Sequence, residues 1–125
     1  MRVGIDVQSV SEVHDALVNF GDRYRQRLFT DAEIADCGGW GAPPMSSAPS
    51  LAGRFAAKEA TLKALRVDNL VPNWRDIEIV RERGGWPSLR LHALAAEIAR
   101  DASLTAFDVS VSHTEGIASA IVIAC

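Results

Sequence analysis

Residues 51–65, LAGRFAAKEATLKAL, constrain this chain more than any other stretch. They are rich in alanine and leucine, residues that lose little freedom in a helix, and contain no proline. At about 100° per residue, Leu51, Phe55, Leu62 and Leu65 gather within roughly a quarter turn and define an apolar stripe. Lys58 falls inside that stripe. Arg54 lies at one border and Glu59 and Lys63 at the other, so the charges flank the face to be buried instead of lying opposite it. Two readings follow. In the structural one, Lys58 carries its ammonium past apolar neighbours and Glu59 pairs with Lys63 at i,i+4, a contact worth about 0.2–0.5 kcal/mol. In the functional one, Arg54, Lys58 and Lys63 hold phosphate oxygens, while Glu59 and a second hard carboxylate hold Mg²⁺ together with those phosphates.

The rest of the chain supplies partners for that helix. RVGIDV alternates, with Val3, Ile5 and Val7 on one face and Gly4 and Asp6 on the other, the period of a half-buried strand. Asp6 is thus a candidate second carboxylate. Val13, Leu17 and Phe20 recur at helical spacing, with Ser9 or Ser11 as a cap before them and Gly21 as a stop. Thr30 and Glu33 have the spacing of a capping box and open a second short helix. The segment 38–50, GGWGAPPMSSAPS, is mostly glycine, proline and serine and is expected to be an exposed loop. RDIEIVRERGGWPSLRLH reads as two strands joined through Arg83, Gly84 and Gly85, and ALAAEIARDASL as a short amphipathic helix. FDVSVSH and IASAIVIA form a second hairpin around TEG. In that first strand Phe107, Val109, Val111 and His113 share one parity, so His113 ends a core-facing row, while Ser110 and Ser112 face the other way. His14 and His92 are expected at the surface. The order of elements predicts an α+β fold with a mostly antiparallel sheet packed by the long central helix.

A chain of 125 residues, 48% hydrophobic and 23% charged, can bury one core but not two, so residues 1–125 are expected to form a single domain. The net charge of −3 gives no global basic field for nucleic acid or an anionic membrane, and any anion site must be local. No apolar run reaches the length of a membrane span, and Cys37 and Cys125 show no zinc-site or disulfide-scaffold spacing. A reduced, cytoplasmic protein is expected.

VGIDV, LAGRFAAKEATLKAL and VSVSHT, in this order and over this length, resemble the holo-acyl-carrier-protein synthase type of 4′-phosphopantetheinyl transferase. DIEIVRERGGWPSLRLHALAAEIA is similar to that family's hairpin and following helix, so the resemblance covers nearly the whole chain. It implies transfer of 4′-phosphopantetheine from coenzyme A to a serine of an acyl or peptidyl carrier protein, releasing adenosine 3′,5′-bisphosphate. It also implies Mg²⁺ at Asp6 and Glu59, and coenzyme A phosphates at Arg54, Lys58 and Lys63. Ser112 and His113 would line the nucleotide site, Glu59 and Lys58 would serve catalysis, and a homotrimer would carry its sites between subunits. Glu59 would take the serine proton, directly or through a metal-bound water.

The sequence departs from that pattern in places. Where the family has a glycine-rich turn after the helix, this chain has RVDNLVPNW, and where it has an acidic residue and then an arginine after the first strand, this chain has Ser9 and Glu12. Altered carrier preference is therefore expected. A non-catalytic subunit that binds coenzyme A or a carrier through the same groove is the alternative.

Overall fold

The computed structural model describes residues Met1–Cys125. Strand β1 (Arg2–Ser9) runs straight into helix α1 (Val10–Phe20). Ser9 is the N-cap, its Oγ accepting from the Glu12 N–H at 3.3 Å, and Gly21 ends the helix at φ 57°. Helix α2 (Asp22–Leu28) was not legible in the sequence, since its charged residues form no apolar stripe. It is held instead by one buried guanidinium: Arg25 donates to Asp22 at 2.9 Å, to the Ala42 carbonyl at 2.6 Å and to Ser47 Oγ at 3.2 Å. Helix α3 (Asp31–Asp36) opens with the expected capping box, in which Thr30 and Glu33 each accept from the other's backbone N–H.

Helix α4 (Pro44–Leu65) begins well before the expected start, and this corrects the reading of 38–50 as an exposed loop. Only residues 38–43 stay irregular. Pro44 suits the first turn, where its missing N–H would be unpaired anyway. Pro49 sacrifices one helical hydrogen bond, but Ala48, Leu51 and Ala52 are buried with Val13, Leu17, Phe29 and Ile34. Burial of each Leu-sized side chain is worth about 1.5–3 kcal/mol, which offsets that loss. Tertiary packing thus overrides local composition. Farther on, Ala56, Ala57, Ala60 and Ala64 are buried as fully as Leu65, so α4 is covered almost all round and not along one stripe.

Strands β4 (Phe107–Thr114) and β5 (Ile117–Ala124) form the expected hairpin, and β5 also pairs with β1, so the order is β1-β5-β4, antiparallel throughout. Strands β2 (Ile77–Arg81) and β3 (Pro87–Leu91) form the other expected hairpin, a separate two-stranded sheet that follows a 3₁₀ turn at Trp74–Asp76. Helix α5 (Ala93–Asp101) covers the core beside them. The result is the α+β fold expected. No helix is long and apolar enough to cross a membrane.

Strand β1 turns its apolar face outward. Its apolar row, Val3, Ile5 and Val7, is about 60% exposed, while Gly4 is buried against α4. A Cβ at Gly4 would stand 1.9 Å from the Ala60 carbonyl oxygen, so the helix can lie this close to the strand only over a glycine. Gly53 plays the same part from the helix side, where a Cβ would meet Val111 at 2.9 Å. The outward row of β1 continues across the sheet into Ile121 and Ile123 of β5, both more than a third exposed.

Candidate active site

Asp6 leaves β1 on the face toward α4, its side chain only 14% exposed. Gln8 Nε2 donates to one carboxylate oxygen at 2.6 Å; Lys63 Nζ donates to the other at 3.2 Å and to the Ile5 carbonyl at 2.8 Å. One helical turn before Lys63 stands Glu59, half-buried. Burial, and then the charge of Asp6, push the Glu59 carboxyl above the usual carboxylate range, with Lys63 acting against both. Two hard carboxylates that raise each other's electrostatic cost are a donor set that a small divalent cation relieves. No cluster of three or more His, Cys, Asp or Glu side chains occurs, so a cation here would take its other oxygens from substrate and water.

On another side of α4 lies a groove of about 280 Å³ lined by Arg54, Gly53, Ile79, Arg81, Pro87 and His113, among others. Arg54 is buried and donates through Nη2 to Asp36 at 3.2 Å, but its Nε–H is buried with no partner. An unmet buried donor costs about 1–3 kcal/mol. Arg54 and Arg81 make the groove cationic, which suits an anionic oxygen.

The structure brings Asp6, Glu59 and Lys63 together at one corner and Arg54 and His113 together at the groove. Two expected residues join neither. Lys58 is 0% exposed, and its ammonium donates to Glu33 Oε1 at 2.7 Å, the Trp74 carbonyl at 3.0 Å and the Ile77 carbonyl. All three of its protons are used internally, so it does not reach a phosphate. Burial lowers its pKa, opposed by the Glu33 charge. Ser112 is exposed on the outer face of the sheet, in register with Ser119, away from the groove. The parity that sends His113 toward α4 sends Ser112 the other way. His92 sits at the surface as expected, 3.1 Å from Glu78, and His14 is partly exposed.

Arg81 escaped the sequence reading. Its signal was a basic residue at the strand end before a Gly-Gly turn, but nothing local shows that this hairpin folds over α4. A second groove, of about 680 Å³, was also missed. Phe20, Tyr24 and Trp74 line it together with Arg23 and Arg27 of α2. Burial pushes the Tyr24 hydroxyl up to about 12.

The acidic corner and the cationic groove diverge around α4. Arg54 and Glu59, five residues apart, point roughly 140° from each other at about 100° per residue. Asp6 and His113 lie on β1 and β4, the two outer strands with β5 between them, two strand spacings (about 10 Å) apart across the sheet and two residues apart along it. The chain therefore presents an acidic corner and a cationic groove that face different ways.

The 4′-phosphopantetheinyl transferase superfamily model matches residues 2–121. The holo-[acyl-carrier-protein] synthase of Chloroflexus aggregans is 38% identical, over 97% of this chain and 92% of that protein. The Moorella thermoacetica protein of the same name is 39% identical, over 97% and 91%. Among solved structures, the Helicobacter pylori holo-[acyl-carrier-protein] synthase in complex with coenzyme A superposes with a TM-score of 0.81 at 27% identity, covering 98% of this chain and 99% of that one. With a family model spanning nearly the whole chain and relatives 38% and 39% identical over 97% of it, this chain belongs to the 4′-phosphopantetheinyl transferase superfamily.

Proposed function

We propose that the protein transfers 4′-phosphopantetheine from coenzyme A to a serine of an apo carrier protein, releasing adenosine 3′,5′-bisphosphate. The observation that carries this reading is the groove in which Arg54 and Arg81 meet His113, a cationic place for phosphate oxygens of the nucleotide. Lys63, exposed beside Asp6, would reach the pyrophosphate with its ammonium, and Glu59 would take the serine proton. Asp6 and Glu59 would hold Mg²⁺, which supplies charge neutralisation at the pyrophosphate when bound. The chain's own residues then orient the two reactants in line and keep the cationic contacts preorganised. The basic, aromatic-lined groove of Phe20, Tyr24, Arg23 and Arg27 suits the acidic face of a carrier. Two free cysteines, one of them buried, suit a reducing, cytoplasmic setting.

We further propose a homotrimer with sites between subunits. The divergence of corner and groove around α4 supports it, because two copies can face the corner of one to the groove of the other. The exposed row Val3, Ile5, Val7, Ile121 and Ile123 supplies an apolar face for such contact.

Mass spectrometry of apo carriers incubated with coenzyme A and Mg²⁺ tests the activity. A phosphopantetheine mass gain that disappears in Glu59→Ala supports the transferase. Measurable coenzyme A binding without a gain on any carrier would favour the non-catalytic binding subunit. Mixing Glu59→Ala with Arg54→Ala tests the assembly: recovered activity supports shared sites, whereas a monomer mass by sedimentation equilibrium would remove them.

A further inference from the structure

The hairpin that carries Arg81 and Pro87 to the nucleotide groove has no strand ladder tying it to the rest of the fold. Strand β2 pairs only with β3, and its other edge meets no strand. On that free edge the backbone groups of Ile77 and Ile79 meet side chains instead: the Ile77 carbonyl accepts from Lys58 Nζ, and the Ile79 N–H donates to Glu33 Oε2 at 3.2 Å. The two side chains thus occupy the place of a neighbouring strand, one as donor and one as acceptor. Glu33 Oε1 also accepts from Lys58 and from the Thr30 N–H at 2.9 Å, and Lys58 donates to the Trp74 carbonyl, so α3, α4, the 3₁₀ turn and β2 meet at one buried junction.

We propose that Lys58 and Glu33 are positioning residues that set the width of the nucleotide groove, an inference that rests on reading that groove as the coenzyme A site. Lys58 lies one turn beyond Arg54 on the same side of α4, and Ile79, bonded to its partner, lines the groove two residues before Arg81. The junction therefore fixes the distance between the helix wall and the hairpin wall. Stability alone does not require it, because a buried ion pair gives little net stabilisation over an apolar pair of similar volume. What directed hydrogen bonds add is a unique position for an edge that apolar packing of Ile77 and Ile79 would let slide.

The full-length double variant Lys58→Met/Glu33→Gln removes both charges, while the amide introduced at position 33 can still accept from the Ile79 N–H. The expected result is a cooperatively melting protein whose coenzyme A affinity falls about tenfold while its KM for the carrier stays within about twofold. Without any ligand, amides of Ile77–Arg81 should exchange about tenfold faster and those of β1 at the wild-type rate. Coenzyme A affinity within about twofold of wild type in the folded variant would overturn the proposal. So would an equal rise in both KM values, or exchange accelerated throughout, since these mark general loosening. If the double variant does not fold, Glu33→Gln alone is read by the same measures. Should the wild type fail to bind coenzyme A, the functional reading falls, while the exchange at Ile77–Arg81 still decides whether this junction holds the hairpin.

Discussion

The two sides of α4 are built by different means. The Asp6 corner rests on β1, which is laddered to β5 along its whole length and pressed against the helix over Gly4. The groove at Arg54 rests on a hairpin joined to the helix only by side chains, the Lys58–Glu33 junction and the packing of Ile77 and Ile79. Backbone ladders fix a residue whatever its side chain, whereas a side-chain junction fixes it only while two particular residues are present. The corner should accordingly be sensitive to backbone approach, and the groove to individual polar groups.

The largest effect expected is at Gly4. Gly4→Ala places a methyl group against the Ala60 carbonyl, and overpacking against backbone should cost about 3 kcal/mol or lower Tm by roughly 10 °C. Thermal melting checks this, and an unchanged Tm would show that β1 can lift off α4 cheaply. The same variant should impair transfer more than coenzyme A binding, because it moves Asp6 and leaves the groove alone.

On the other side, Arg81→Ala should raise KM for coenzyme A about tenfold with little change in carrier KM, the size of one charge-assisted contact to a phosphate. The loss should shrink at high salt, since Arg81 is exposed. Steady-state kinetics at two ionic strengths would sharpen the comparison, and a salt-independent loss would assign Arg81 a packing role instead.

Glu12 is exposed in the first turn of α1, beyond the end of β1. If α1 faces the carrier, as the resemblance implies, an acidic residue there repels an acidic carrier, and Glu12→Arg should improve kcat/KM several-fold, up to about tenfold, on a strongly acidic carrier and less at high salt. Equal kcat/KM for both proteins would make Glu12 a solvated helix residue.

The smallest effect concerns Tyr24, the only tyrosine of the chain. Its hydroxyl is raised from 10 to about 12 by burial, so the folded state keeps its proton where the unfolded chain loses it. The corresponding stability is fully present below about pH 10 and is lost as pH rises through about 12. A spectrophotometric titration of tyrosinate should find its midpoint near 12, and a midpoint near 10 would place Tyr24 in open solvent.

Much of this protein could be read from local pattern. The capping box at Thr30 and Glu33, the two hairpins and the α4 motif appear because caps, period-2 alternation and glycine turns act over a few residues. Helix α2 and the first two turns of α4 were hidden, because their stability comes from Arg25 bridging to Ser47 and from Ala48 in the core, contacts with distant segments. The same distinction divides the site. Asp6, Glu59, Lys63 and Arg54 carry their chemistry in residue type and spacing, so the sequence alone determined them as candidates, whereas His113 became one only through the resemblance of VSVSHT to the family. Only the tertiary structure decided that Lys58 turns inward to Glu33, that Arg81 joins Arg54, and that β1 shows its apolar row to the outside. Those outcomes depend on which elements meet across space, and a lysine inside an apolar stripe reads the same whether its ammonium finds a phosphate or a buried carboxylate.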